Sequence, residues 1–92
     1  MMYATTIKMQ PGCTNSNNVE EIKEIYIEGC NNPGFFQKST LHDYLKTNPN
    51  SIKVKITPYP YLIPKISTRN EKYVSSEPNN NIHDNLLKLP RM

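Results

Sequence analysis

The amino-acid sequence predicts an α+β fold, with a small antiparallel sheet of about four strands, one short helix and a C-terminal helical turn. Apolar residues alternate with lysines over residues 51–57, which is typical of a half-buried strand. Leu41, Tyr44 and Leu45 have the i, i+3, i+4 spacing of one helix face. The eight prolines argue against long helices. A length of 92 residues corresponds to one domain, residues 1–92, with a thin core.

The first half of the chain predicts two strands. Residues 3–10 are rich in aromatic and β-branched side chains and end at a Pro-Gly pair, which favours a strand. The next apolar segment has two interpretations. Asn18 and Glu21 have the spacing of a helical capping box, whereas the β-branched and aromatic alternation over 22–28 favours a strand. We take the strand, followed by a Gly- and Pro-rich turn over 29–34.

The second half predicts the helix, two more strands and a docked end. Residues 39–47 suit a short helix that begins at a serine cap and ends before Asn-Pro. Residues 51–57 and 71–75 read as strands. The proline-spaced segment 59–66 is either an extended edge or a loop, since proline cannot donate to a central ladder. Apolar spacing over 82–89 predicts one or two helical turns that anchor the C-terminus.

Charge and cysteine content limit the kinds of partner and the cellular compartment that the sequence predicts. The formal net charge of +3 permits an anionic partner, but no dense cluster of Lys and Arg indicates a nucleic-acid patch, so nucleic acid is disfavoured. Cys13 and Cys30 are too few for a disulfide framework, so we expect reduced thiols and a cytoplasmic location. Because no leader and no long apolar run stands out, we expect no membrane association.

No pattern selects a catalytic set. His42 and Asp43 are neighbours on the predicted helix and therefore point in different directions. His83 and Asp84 are also adjacent, with no nucleophile motif nearby. The glycines are isolated turn residues, and the His and Cys residues lack metal-ligand spacing. We therefore expect a non-enzymatic protein with no catalytic residue, no metal and no cofactor.

Binding residues are predicted near the end of the chain. Tyr73 has an aromatic face beside two cations, Lys72 and Arg69, as a base stacked near a phosphate requires. Packing of Tyr73 across the sheet is an equal alternative. Asp84 and Asn85 have the groups to read a base edge or ribose, although capping of the following turn is favoured on physics alone. The full set of predicted ligand-binding residues is Tyr73, Lys72, Arg69, Ser76, Asp84, Asn85 and Arg91.

The C-terminal motifs carry a resemblance to a known family. Residues 73–79 and 84–90 resemble the close of a small bacterial and phage domain family of unknown function. That family typically ends in Tyr-Leu-Arg-Thr-x-Pro-Asp, a few residues, and then Asp-Asn-Leu-x-x-Leu-Pro. This chain departs from it at Ser75, Ser76 and Asn79, where the family has Arg, Thr and Asp. A ligand contact made by the family arginine would be absent here or moved to Lys72, Arg69 or Arg91.

A weaker similarity supplies a function. In size and make-up the chain resembles phage anti-CBASS sponges, which are oligomeric proteins that bind the cyclic nucleotide signals of bacterial immunity. The Asn-, Lys- and Ile-rich composition is typical of a low-GC Firmicute host or its phage. This resemblance implies a homo-oligomer in the host cytoplasm that sequesters a small nucleotide ligand, a cyclic dinucleotide, without catalysis.

Two other hypotheses stay open. The exposed, proline-stiffened segment 59–63 would suit a protein–protein inhibitor of a host defence enzyme. Alternatively, Lys8, Lys53 and Lys55 would make the chain a weak nucleic-acid binder with a steep salt dependence and little sequence preference.

Overall fold

The structure is a computed structural model that describes residues 1–57, 59–77 and 85–92, with only the backbone of Asn85. Its strands and helix are β1 (Met2–Met9), β2 (Ile22–Glu28), β3 (Gly34–Gln37), α1 (Lys38–Thr47), β4 (Ile52–Val54), β5 (Leu62–Ile66) and β6 (Lys72–Ser76). Two 3-10 turns, Val19–Glu21 and Asn85–Lys88, complete the described elements. The predicted α+β class is confirmed. Within this described part, no helix has the length and apolar character needed to span a membrane.

The main sheet has the strand order β3-β2-β1-β4. Its pairs β1–β2 and β2–β3 are antiparallel, whereas β1 and β4 run parallel. The sheet is therefore mixed, whereas the sequence predicted an antiparallel one. The reason is topological. Helix α1 lies between β3 and β4 in the chain, and a parallel neighbour needs such a long connection. Strands β5 and β6 form a separate two-stranded antiparallel sheet.

The core lies between the inner face of the main sheet and a layer made by α1 and the second sheet. Helix α1 contributes Leu41 and Leu45 on one face, in agreement with the predicted spacing. Strands β5 and β6 contribute Leu62 and Val74. The main sheet contributes the alternate side chains Ala4, Ile7, Met9, Ile22, Ile25, Ile27, Ile52 and Val54. Period-two alternation, with register shifts between Ala4 and Thr6 and between Lys8 and Met9, gives this sheet one buried and one outer face.

Two strands differ from the predictions. β3 falls inside no predicted element, because its four residues directly precede the helix and are too few to show alternation. β4 spans three residues where 51–57 was predicted. Part of the segment left open between edge and loop, Leu62–Ile66, is the strand β5, which pairs with β6 and accommodates Pro64. The other strand predictions, and the helix prediction, lie within two residues of the observed bounds.

The end of the chain is docked, as predicted, and the structure shows that it pairs with β1. Leu86, Leu87 and Leu89 are buried in the core. The Ile7 amide donates to the Pro90 carbonyl at 2.9 Å, and the Met92 amide donates to the Ile7 carbonyl at 3.0 Å. These bonds place the last residues parallel to β1, on the edge that β4 covers nearer the start of β1. The predicted C-terminal turn corresponds to Asn85–Lys88, whereas the part of that prediction before residue 85 lies outside the described residues.

Candidate functional site

Two of the predicted ligand residues lie on β6 and point in opposite directions. Lys72 and Tyr73 are consecutive strand residues, so their side chains emerge on different faces. Lys72 Nζ donates to Asp43 Oδ1 at 2.8 Å, and this ion pair is largely exposed. The hydrogen bond from Lys72 lowers the pKa of Asp43 below its usual value. The side chain of Tyr73 is half-buried. The backbone carbonyl oxygen of Tyr73 lies 3.1 Å from His42 Nδ1. One ligand therefore does not meet both side chains.

The remaining predicted residues are spread over the fold. Arg91 donates from Nη1 to the Thr14 carbonyl at 2.7 Å and from Nη2 to the Leu87 carbonyl at 3.2 Å, which ties the C-terminus to a loop. Arg69 lies in the turn before β6, and its charge acts on Glu21. Ser76 is buried and has a partner. Asp84 and the side chain of Asn85 lie outside the described residues, so the prediction for them stays a prediction.

A polar cavity of about 450 Å³ lies at the loop that Arg91 contacts, and Gly12, Cys13, Thr14, Asn15, Ser16 and Glu21 line it. Glu21 holds the loop closed, because its carboxylate accepts from Cys13 Sγ at 2.7 Å and from Ser16 Oγ at 2.5 Å. The hydrogen bond from Cys13 lowers the pKa of Glu21, and the same bond raises the pKa of the Cys13 thiol. A carboxylate at this position repels phosphate, so the cavity is poorly suited to a nucleotide.

A different group of side chains converges on the outer face of the main sheet. Residues directly opposite one another in paired strands share a face of the sheet. Tyr3 on β1 is opposite Glu28 on β2 and Lys53 on β4, and Lys53 is in turn opposite Tyr61. Their neighbours along the strands, such as Ala4, point into the core. Tyr61, Lys53, Tyr3 and Glu28 therefore form one continuous row across the outer face.

A second and a third row follow on the same face. Thr6, Tyr26 and Phe35 lie opposite one another across β1, β2 and β3. The rings of Tyr26 and Phe35 meet edge to face, with centroids 5.3 Å apart. Lys8 begins the third row, with Glu24 and Gln37 opposite. We call the whole surface the aromatic face and define it by Tyr3, Tyr26, Phe35, Tyr59, Tyr61, Lys8, Lys53 and Lys55.

Each lysine of the aromatic face lies over a ring. Lys53 Nζ is 5.1 Å from the centroid of Tyr61, Lys8 Nζ is 5.6 Å from Phe35, and Lys55 Nζ is 5.7 Å from Tyr3. These distances are within the range of cation–π attraction. Lys55 Nζ also lies 3.3 Å from Glu28 Oε1, in an exposed ion pair that contributes little stability. The aromatic face thus holds cations among rings, and with Glu24 and Glu28 interleaved its charge is mildly positive.

Tyr59 is held on this face by a strained backbone. Its φ of 60° is in the left-handed region, which costs a residue with a side chain roughly 1–2 kcal/mol. The other non-glycine residues described with positive φ are Asn50 and Asn70, a residue type that tolerates this conformation. The ring of Tyr59 is 43% exposed and meets the edge of Tyr3, with centroids 6.3 Å apart. Residues with strained backbones cluster at binding and active sites, so Tyr59 is a candidate for such a site.

Several residues of the aromatic face are predicted from the sequence to bind a partner, but in two separate sites. Lys8, Lys53 and Lys55 were assigned to a weak nucleic-acid binder, and residues 59–63 to a separate protein-binding patch. The link between them is the parallel pairing of β1 with β4 and the bridge from Lys53 to Tyr61, both of which are non-local. The alternation of apolar residues with lysines over residues 51–57 was the sequence signal that predicted Lys53 and Lys55 on the same side of a strand.

Comparisons of the chain with protein-family models, with curated proteins and with solved structures gave no match. The resemblance of residues 73–90 to a family of unknown function therefore stays a prediction.

Proposed function

We propose that this chain is a non-enzymatic protein that binds single-stranded nucleic acid on the aromatic face. The observation that carries the proposal is the convergence of five rings and three lysines on one outer sheet face. Aromatic rings on a sheet stack unpaired bases, and lysines beside them meet the phosphates. Stacking tolerates any base, so we expect little sequence preference.

The shape of the surface favours an extended ligand. A sheet face contacts one side of each base, so affinity comes from several contacts along a strand rather than from one deep pocket. Glu24 and Glu28 interrupt the positive charge on this face, which limits affinity for phosphates. Two cations predicted to hold a small nucleotide, Lys72 and Arg91, are instead engaged within the protein. Sequestration of a cyclic dinucleotide by a phage protein is the alternative, and the same experiments test it.

Truncation of Tyr61 tests the stacking. Its ring lies at the end of the first row under Lys53. Loss of one stacked base costs about 1–3 kcal/mol, so Tyr61→Ala is expected to weaken binding roughly 5- to 150-fold. Tyr61→Phe keeps the ring and is expected to bind as the unsubstituted protein does. The measurement is fluorescence anisotropy with a labelled single strand of about a dozen nucleotides, near the upper site size for such surfaces. Circular dichroism verifies that both variants fold.

Tyr73→Ala is the matched comparison, since Tyr73 belongs to the other predicted site. We expect it to leave binding of the single strand unchanged at matched folding. A cyclic dinucleotide added as competitor is expected to displace the strand weakly. Equal affinities for Tyr61→Ala and Tyr61→Phe would contradict the proposal. Loss of binding in Tyr73→Ala, together with a large thermal shift on adding the cyclic dinucleotide, would support sequestration instead.

The salt dependence tests the role of the lysines. Each phosphate contact on a single strand adds roughly 0.7 to the slope of log K against log salt concentration. Lys53→Ala and Lys55→Ala are each expected to flatten that slope by about this amount and to weaken binding at low salt. Lys46→Ala is the control, because Lys46 is an exposed lysine at the end of α1 and outside the aromatic face. A slope that changes equally in all three variants would exclude a local role for Lys53 and Lys55.

A further inference from the structure

Strand β3 is an edge strand of the main sheet. It stands at the end of the strand order, and within the described part of the chain its backbone pairs with β2 alone. Its residues Gly34-Phe35-Phe36-Gln37 carry no charge. Edge strands are ordinarily protected from pairing by short length, charges, prolines, bulges or a covering helix or loop. β3 is short, with four residues, but it contains no charge, proline or bulge. Its outer edge therefore offers a short, uncharged strand for pairing.

We propose that this edge pairs antiparallel with β3 of a second copy of the chain, with Phe35 opposite Phe35 of that copy. The result is a two-fold dimer in which one continuous sheet of eight strands crosses both copies. This inference does not depend on the proposed nucleic-acid binding, because it is argued from the strand edge, the pleat and the space beside Gly34.

The pleat restricts the register. Opposite residues must share a face, so a two-fold antiparallel pair of β3 strands places either Phe35 or Phe36 opposite itself. With Phe36 at the centre, Gly34 would face Lys38, which has already entered α1. With Phe35 at the centre, Gly34 faces Phe36 of the second copy. A side chain built on Gly34 would meet nothing within 4 Å, so the glycine leaves room for that phenylalanine.

An apolar cavity supplies the contact for this phenylalanine. The cavity, about 210 Å³ in volume, lies between the inner sheet face and α1, and its lining includes Ile27, Cys30, Phe36 and Tyr44. Ile27 lines the cavity and is the cross-strand partner of Gly34. The space that a side chain on Gly34 would occupy therefore borders the cavity. Phe36 of the second copy, placed over Gly34, lies against Ile27 and covers the cavity from the strand edge. By symmetry each copy covers the cavity of the other.

On the outer side the same pairing joins the two aromatic faces. Phe35 ends the second row of one copy, and Phe35 of the second copy begins the next. Rings opposed across an antiparallel pair attract each other. The dimer thus presents an aromatic surface twice as long as that of one chain, while each half remains complete on its own.

Substitution of Gly34 tests the interface. The protein is expected to sediment at twice its chain mass of 10.6 kDa, and Gly34→Lys is expected to sediment at that chain mass. The lysine fits one copy, because the space beside Gly34 is open, but it puts a charge where Phe36 of the second copy packs. Thr68→Lys, an exposed position in the turn between β5 and β6 and outside the main sheet, is the matched control and should stay dimeric. A monomeric unsubstituted protein, or a folded Gly34→Lys variant that remains a dimer, would overturn the proposal.

Disulfide trapping tests the register, and circular dichroism verifies that each cysteine variant folds. In a background of Cys13→Ser and Cys30→Ser, Phe35→Cys is expected to form a cross-linked dimer on oxidation, and Phe36→Cys is not. Opposite residues in an antiparallel pair have Cα atoms about 4.5–5.5 Å apart, which a disulfide spans. Cross-linking of Phe36→Cys but not Phe35→Cys would overturn the register. Oligonucleotide binding is also measured for the Gly34→Lys variant. Each chain has its own aromatic face, so this binding tests the proposed function separately from the dimer.

Discussion

Replacing Leu86 by alanine is expected to lower the free energy of unfolding by about 3–5 kcal/mol, the range for a buried leucine whose site cannot collapse. Leu86 is fully buried in the 3-10 turn that docks the C-terminus, between β1 and β6. A chain of 92 residues has a total stability of roughly 5–14 kcal/mol. The loss is therefore a large part of the whole, and urea unfolding followed by circular dichroism measures it.

Two variants of the same turn control this experiment. Lys88 is exposed, so Lys88→Ala is expected to change stability by less than about 0.5 kcal/mol. Leu86→Met conserves side-chain volume and is expected to cost less than about 1.5 kcal/mol. If Leu86→Ala were as stable as Lys88→Ala, the C-terminal segment would be peripheral to the core. A change in the slope of the denaturation curve would instead indicate that the segment detaches before the rest unfolds.

Leu86 also shows which features the sequence makes predictable. The Leu-x-x-Leu-Pro spacing is a local pattern, and it predicted the docked turn. Local patterns likewise predicted β1, β2 and α1, because alternation and helical spacing are visible within one segment. β3 was missed because four residues are too short to show a period. The parallel pairing of β1 with β4 joins residues about 50 positions apart, and no pattern inside either strand specifies it.

The candidate site follows the same division. Lys72 and Tyr73 were grouped because they are adjacent in sequence, but adjacency on a strand separates side chains to opposite faces. Tyr3, Lys53 and Tyr61 were never grouped, although the fold places them in one row. Sites built on sheet faces therefore escape prediction from local spacing. The strand order, which no local pattern specifies, is what brings these three residues together.

Replacing Gly29 by alanine is expected to cost at least about 3 kcal/mol, because left-handed strain of roughly 1–2 kcal/mol adds to a clash with backbone. Gly29 has a φ of 84°, and a Cβ built on it would lie 2.6 Å from the Met1 carbonyl oxygen and 3.3 Å from the Met2 Cα. Gly12 is the matched control. Its φ is 81° but its Cβ would meet nothing within 4 Å, so Gly12→Ala is expected to cost only the strain. Equal losses of stability in urea unfolding would show that the first residues move aside freely. A larger loss at Gly29, accompanied by weaker oligonucleotide binding, would show that the close approach of Met1 and Met2 fixes the start of β1 and, with it, the first row of the aromatic face.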